Sequence, residues 1–236
     1  MFDQLYGNVD ALGHSLNVTV NTGTSGDRFG GFIGNNHCSW QNLVYNLKAT
    51  YFAQAFGLFA TNSWSGTYEN CYFNIRATQI DGGGKVVPDL NSSVINTPRG
   101  SIFKDCIIAI NQTEGSRVMF LGDEISLPTF TNVIFIRDTE SSLFTLSQQE
   151  NWKGRKFINC YHYRTLEDFV KGGKGALIDV PNDSDYKTTP VDGVTAYAVF
   201  GDVWTINSKE VKLLDNEIVK IYETGDNVVN DEDIIG

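Results

Sequence analysis

The sequence predicts an all-β chain folded as a β-solenoid, and three observations predict this class. The 236 residues include 23 Gly and only 5 Pro, and aromatic residues make up 12% against 19% charged ones. This mixture is typical of many short strands joined by tight turns. A motif built on Asn or Asp recurs along the chain, and each copy alternates apolar and other residues with the period of a strand.

The repeated motif consists of an aromatic residue, one variable residue, Asn or Asp, a small apolar residue and then an alternating stretch. Its anchor falls at Asn42, Asn70, Asp105, Asn132 and Asn159, with a weaker copy at Asn17. From Asn42 onward the anchors lie 28, 35, 27 and 27 residues apart. A unit of this length cannot bury its own apolar face and must stack on its neighbours. We therefore expect about six coils.

The residues one, three and five positions after each anchor share one face of a strand and are predicted to point inward. Cys71, Cys106 and Cys160 occupy equivalent inward positions, so we interpret them as packing residues. The anchor itself suits a sharp corner, because Asn and Asp tolerate the left-handed backbone conformation. Stacked corners are expected to form a ladder of side-chain amides.

A second strand is predicted about ten residues before each anchor, at 30–36, 56–62, 117–123 and 142–148. The stretch DGGGKVVPDLNSS inside the 35-residue interval is expected to be a surface loop. The period stops after residue 165. We divide the chain into a β-helix over 1–165, a linker with a short helical turn over 166–193, and a small β segment with an acidic tail over 194–236.

The net charge of -10 disfavours nucleic acid and anionic membranes as partners, because phosphate binding needs clustered Lys and Arg. No stretch is long and apolar enough to span a membrane, and MFDQLYGNVD lacks the features of a secretory signal. The four cysteines show no zinc-binding spacing. We expect no metal and no cofactor.

Two stretches carry a resemblance to known repeats: GGFIGNN with WQNLVYNLKA, and FGLFATNSWSGTYENCYFNIRA. They resemble the GLUG-type repeats of bacterial surface proteins and the coils of phage tailspikes and pectate-lyase-like proteins. The pattern covers about residues 14 to 164. The resemblance implies a right-handed parallel β-helix exposed to glycans, and by analogy with β-helical spikes a homotrimer.

The same resemblance raises the question of a polysaccharide lyase or glycoside hydrolase, which needs two carboxylates across a groove. Asp123 and Glu124 in LGDEIS are the candidates, although adjacent acids in a turn are more often only solvated. The three histidines are scattered and form no catalytic or metal-binding pattern.

The residues two and four positions after each anchor are predicted to face outward, and they become apolar from the third coil onward. This outer face includes Tyr72, Ile107, Ile134, Ile136, Tyr161 and Tyr163. An apolar patch of this kind is rarely left in water. We expect either the C-terminal segments of the chain or another protein to cover it.

Three tryptophans, Trp40, Trp64 and Trp152, lie in or beside predicted corners. Exposed aromatic rings can stack on sugars, and buried rings can plug a corner. Both interpretations stay open for these residues at this point.

Function must be inferred from sites and not from the fold. The favoured hypothesis is a non-enzymatic structural or adhesive module of a phage virion, such as a tail appendage, a spike-like protein or a head-decorating protein. It would bind other virion proteins or host-surface glycans. The alternatives are a fragment of a secreted bacterial adhesin and a β-helical lyase or hydrolase.

Overall fold

In the computed structural model, the described residues form β-strands and almost no helix. It describes residues 2–21, 31–52, 57–87, 93–112, 128–137, 157–163, 169, 174–179, 187–192, 199–200, 203–206, 209–214 and 217–223. The arrangement is a parallel β-solenoid of about four turns. The predicted fold class is confirmed, and the number of turns differs slightly from the predicted six coils.

Two parallel sheets form the walls of the solenoid. Sheet A contains β1 (Phe2–Asp10), β3 (Ile33–Gln41), β5 (Ala60–Trp64), β6 (Thr67–Glu69), β8 (Ile95–Arg99), β9 (Ile102–Lys104), β11 (Thr129–Thr131) and β13 (Phe157–Ile158). The solenoid strands of sheet B are β2 (Ser15–Asn21), β4 (Val44–Phe52), β7 (Tyr72–Ile80), β10 (Ile107–Gln112), β12 (Ile134–Arg137) and β14 (Tyr161–Tyr163). Each solenoid strand pairs in parallel with its equivalents in the neighbouring coils.

A left-handed corner joins the two sheets at five of the six predicted anchors. The backbone φ is +53° to +54° at Asn42, Asn70, Asp105, Asn132 and Asn159. The side chains form a ladder along these corners: Asn70 Nδ2 donates to Asn42 Oδ1 at 2.7 Å, and Asn159 Nδ2 donates to Asn132 Oδ1 at 2.9 Å. The predicted corner and amide ladder are both confirmed.

The weak sixth copy of the motif is out of register. Asn17 pairs with Asn46 in the middle of a sheet B strand and does not form a corner. The corner of the first coil contains Leu12 and Gly13, with φ of +53° and +79°, and the Gly13 N–H donates to the Asn42 carbonyl at 3.0 Å. Because neither residue is Asn or Asp, the motif search passed over this corner.

Like side chains stack on one another inside the solenoid. The rings of Tyr68, Phe103, Phe130 and Phe157 follow one another with centroids 4.7, 5.1 and 5.0 Å apart and with nearly parallel planes. These residues are paired partners in successive strands of sheet A. Offset stacking at this distance adds to the burial of apolar area. The core is therefore a continuous column and not a separate cluster in each coil.

Sheet A is interrupted by a β-bulge in two successive coils. Asn36 pairs with Ser63, and Trp40 pairs with Tyr68. The segment from Ser63 to Tyr68 is therefore one residue longer than the segment from Asn36 to Trp40 on which it stacks. The additional residue separates β5 from β6 at Ser65, with φ of +55°. The next coil repeats the bulge at Gly100, which lies between β8 and β9 and has a φ of +60°. A bulge bends its strand and re-aims the side chains beside it.

The C-terminal part adds antiparallel strands. β15 (Lys174–Asp179) pairs with β14, and β16 (Lys187–Asp192) pairs with β15, so two strands extend sheet B within the stretch for which we predicted a linker. A third sheet contains β17 (Val199–Phe200), β18 (Val203–Ile206), β19 (Lys209–Leu214) and β20 (Glu217–Glu223). β20 lies against β4 and β7 of the solenoid.

The ladder predicts the cost of losing a corner asparagine. Asn132→Gly keeps the left-handed backbone but loses the amide bonds to Asp105 and Asn159, so we expect about 1 kcal/mol less unfolding free energy. Asn132→Ala also strains the backbone, so we expect a loss of about 2 to 3 kcal/mol. Urea titration followed by circular dichroism measures both losses, with Thr131→Ala as the control. Equal losses in the two corner variants would contradict the strained-corner explanation.

Candidate functional site

The apolar part of the outer face of sheet B is buried within the chain itself. The six predicted interface positions are nearly inaccessible, apart from the half-buried Tyr161: Tyr72, Ile107, Ile134, Ile136, Tyr161 and Tyr163. Strand β20 crosses β4 and β7, and the ring of Phe169 packs edge-on against Tyr163 with centroids 5.1 Å apart. These side chains are consequently not a free surface of the monomer.

The outer face of sheet A differs, because polar and aromatic side chains project from it into solvent. We call this surface the open face. Its central row, the ring row, runs across four strands through Tyr6, His37, Trp64 and Arg99. The rings of Tyr6 and His37 stack at 4.5 Å, those of His37 and Trp64 at 6.2 Å, and the Arg99 guanidinium carbon lies 4.3 Å from the Trp64 centroid.

The stack determines which parts of these rings are accessible. Trp64 has His37 on one face and the Arg99 guanidinium on the other, yet it is 39% exposed. The exposed part is therefore its edge. Tyr6 is 67% exposed and stacks on one face only among the described contacts. A ligand on the open face thus meets ring edges and one face of the Tyr6 ring.

The bulge in sheet A places the ring row. Trp64 and Arg99 immediately precede the left-handed bulge residues of their coils. The chain then turns so tightly at Gly66 that an added Cβ atom would lie 2.6 Å from the Cys38 carbonyl oxygen. Because only glycine fits there without movement, the sequence SWSG specifies the local geometry that presents Trp64.

A row of amides lies beside the ring row. Asn62 Nδ2 donates to Asn35 Oδ1 at 3.0 Å, and the Tyr6 hydroxyl donates to Gln4 Oε1 at 2.7 Å. On the other side of the ring row come Asn8, Ser39 and Thr67 in register. These groups offer hydrogen-bond donors and acceptors at the regular spacing of parallel strands.

Trp40, a predicted sugar-stacking residue, is instead part of the core. It is 5% exposed, its Nε1 donates to Asn36 Oδ1 at 3.0 Å, and its ring packs edge-on against Phe59. Asn36 also donates to the Tyr68 hydroxyl at 2.8 Å. Burial raises the pKa of Tyr68 well above its usual range, so its hydroxyl stays protonated. The alternative interpretation of Trp40 as a buried plug is therefore correct.

Acidic side chains of the open face lie in the row next to the asparagine corners. Glu69 accepts from Lys104 Nζ at 2.6 Å and from Gln41 Nε2 at 3.2 Å. The carboxylate holds the pKa of Lys104 above its usual range. Asp10 accepts from Asn42 Nδ2 and from the backbone N–H of Leu12, both at 2.9 Å. Both carboxylates therefore have structural partners.

Three predicted candidates lie outside the described residues, namely Asp123, Glu124 and Trp152. Within the part of the chain that the structure describes, no group of three or more His, Cys, Asp or Glu side chains is placed to hold a metal ion. No helix among the described residues is long and apolar enough to cross a membrane. Sequence reasoning missed Tyr6, His37 and Arg99, because they become neighbours only through the pairing of strands.

The cysteines are free and buried. The thiols of Cys71, Cys106 and Cys160 each lie 3.2 to 3.4 Å from the backbone carbonyl oxygen two residues before them. Burial raises the pKa of Cys160 to about 12 and also raises that of Cys106. Because the thiolate is the reactive form, this environment supports a packing role.

Comparison with protein-family models, with curated proteins and with solved structures found no match to the chain. The parallel β-solenoid is shown by the structure. The narrower resemblances to GLUG-type repeats and phage tailspikes receive no support from these comparisons.

The buried thiols predict slow chemical labelling. In native protein at pH 8, we expect the four cysteines to react with Ellman's reagent at least about a hundred times more slowly than in urea-unfolded protein. The absorbance of the released thiolate measures both rates. A single fast-reacting thiol in the native protein would contradict the packing role of that cysteine.

The covered face predicts what happens when its cover is removed. A chain that ends at residue 193 lacks β20, so we expect Val44 and Tyr72 to become accessible on β4 and β7. Light scattering should show a larger mass than for the full chain, and a hydrophobic dye should bind more strongly. Unchanged mass and dye binding would contradict a cover supplied by this chain.

Proposed function

We propose that this protein is a non-enzymatic β-solenoid module that binds glycans through its open face. The observation that carries the proposal is the ring row of Tyr6, His37, Trp64 and Arg99 on the outer side of sheet A, flanked by amides and hydroxyls. A sugar presents C–H groups and many hydroxyls. Aromatic rings can pack against the C–H groups, and the bordering amides and hydroxyls can form hydrogen bonds with the sugar hydroxyls.

The contrast between the two sheets supports the open face as the binding surface. The apolar outer face of sheet B is buried by the chain itself, as shown by the full burial of Val44 and Tyr72. The open face keeps large side chains partly in water, and Tyr6 and Trp64 are exposed beyond a third of their area. Exposed aromatic side chains that are held in one arrangement are suited to recognition, because little entropy is lost when a ligand binds.

A structural setting in a phage virion is part of the proposal. The four cysteines are free, and free thiols are usual in proteins that fold in a reducing cytoplasm. This supports a virion component made inside a host cell over a secreted adhesin. In that setting the open face would contact host-surface glycan while other surfaces of the chain hold it in the particle.

A glycan panel tests the proposal. Trp64→Ala removes the central ring, and we expect about tenfold weaker binding to whichever panel member the native protein binds. Trp64→Phe keeps a ring edge and should retain most of the affinity. Arg76→Ala, on the exposed side of β7 in sheet B, is the matched control and should bind like the native protein.

Bio-layer interferometry on immobilised glycans measures these affinities. Binding that is equally weakened by Arg76→Ala and Trp64→Ala would place the contact elsewhere. Release of shortened or unsaturated oligosaccharides from a bound glycan would contradict the non-enzymatic part of the proposal.

A further inference from the structure

We propose that the open face holds the terminal residue of a neutral glycan on the uncovered face of the Tyr6 ring, an inference that rests on the proposed glycan-binding function. Tyr6 stands at one end of the ring row, because it lies on β1, which pairs with β3 alone among the described strands. Its side chain is 67% exposed. Among the rings of the row, Tyr6 is therefore the one that offers a whole face to a sugar.

The stack determines the direction in which this face points. The ring planes of Tyr6 and His37 differ by 8°, and those of His37 and Trp64 differ by 6°. The Tyr6 and His37 centroids lie 4.5 Å apart, close to the spacing of about 4.8 Å between neighbouring strands. The ring planes consequently stand across the row, and the uncovered face of Tyr6 points away from His37, past the edge of β1.

The contacts of Tyr6 hold its ring in place for a ligand. The Tyr6 hydroxyl donates to Gln4 Oε1 at 2.7 Å, and the ring is backed by His37 and Trp64. A side chain that is already held in this way loses little conformational freedom when a ligand binds. One face of a pyranose ring consists largely of C–H groups, which pack on an aromatic ring. Tyr6 thus forms a platform about the size of one sugar residue.

Hydrogen-bonding groups lie beside this platform. Gln4 and Asn8 are two residues away from Tyr6 in either direction, so they share its side of β1, and both are exposed. Gln4 accepts the Tyr6 hydroxyl through Oε1, and its Nε2 group can donate to a sugar hydroxyl. An edge strand such as β1 also presents backbone N–H and C=O groups along its outer side. These groups can bind the hydroxyls of a stacked sugar.

The position of the platform favours the end of a glycan over its interior. In an interior residue, the two links to neighbouring sugars leave from different sides of the sugar ring. If one link is directed to solvent, the other is directed at the coil or over Gln4 or Asn8, where the neighbouring sugar would displace hydrogen bonds. A terminal residue has a single link, which can point into solvent while its free hydroxyls contact Gln4 and Asn8.

The charge around Tyr6 favours a neutral sugar. Asp3 and Asp10 lie on the same strand as Tyr6, and both are exposed. Residues 2–21, which form the first coil, include no Lys or Arg, and the whole chain has a net charge of -10. A carboxylate on the bound sugar would therefore be repelled, with no Lys or Arg in this coil to pair with it. The expected ligand is a terminal hexose without an acidic group.

Linear oligosaccharides of glucose and of N-acetyllactosamine test the inference, each immobilised through its reducing end as a short and a long chain. Every such chain has one free terminal residue, so we expect the short and long members of a series that binds to have equal affinity per chain. Oxidation of the terminal residue at C6 to a carboxylate should weaken binding about tenfold, and added salt should reduce this loss. Bio-layer interferometry measures these affinities.

Tyr6→Ala and Phe2→Ala are the matched variants. Both rings lie on β1 and both are exposed, but Phe2 packs edge-on against Phe32 and lies outside the ring row. We expect Tyr6→Ala to bind at least about tenfold more weakly and Phe2→Ala to bind like the native protein. Tyr6→Phe keeps the platform and should retain most of the affinity, which separates loss of the ring from loss of the fold. An equal loss in Tyr6→Ala and Phe2→Ala would overturn the placement of the sugar on Tyr6.

The two proposals fail in different ways. An affinity per chain that rises with chain length, or an acidic derivative that binds as tightly as its parent, overturns the terminal neutral sugar and leaves glycan binding standing. Binding confined to panel glycans without a neutral terminal hexose has the same meaning. Absence of binding to every oligosaccharide here and to every glycan of the wider panel overturns glycan binding, and the terminal sugar with it.

Discussion

The structure depends on one constraint, which is that each coil must repeat the backbone of its neighbour closely enough for equivalent side chains to stack. The left-handed corner imposes this constraint. At Asn70 the backbone turns with φ of +54°, and the Asn70 side-chain amide donates to Asn42 at the corner of the preceding coil. A corner displaced by one residue would break that bond and would exchange the inner and outer faces of the following strand. Register is therefore determined at the corners and is inherited by both sheets.

Everything stacked along the solenoid follows from this register. Inside, it aligns the rings of Tyr68, Phe103 and Phe130 into a column. Outside, it aligns Tyr6, His37 and Trp64 into the ring row. The same geometric rule thus serves stability in one place and presents a recognition surface in another. The inner column is enclosed by the two sheets, whereas the ring row is exposed to solvent.

Much of the fold could be predicted from the sequence, because a repeat states the same local requirement several times. The corners from Asn42 to Asn159 and the inward cysteines were all predicted correctly. The failures lie where one copy departs from the pattern. Leu12 and Gly13 replace the asparagine at the first corner, and the bulge at Ser65 adds a residue that the motif does not include. The candidate site was predicted only in part: Trp64 was identified, while Tyr6, His37 and Arg99 were not.

The sequence by itself determined the all-β class, the stacking of coils and the position of their corners, since these follow from local backbone preferences and from the alternation of apolar residues. Only the tertiary structure decided which tryptophan is buried and which is exposed. Trp40 precedes the corner at Asn42 and Trp64 precedes the bulge at Ser65, yet one donates to Asn36 in the core and the other projects beside Arg99. The physical reason is strand pairing: whether a residue points in or out depends on an added bulge residue, and its neighbours come from coils about 27 to 35 residues away.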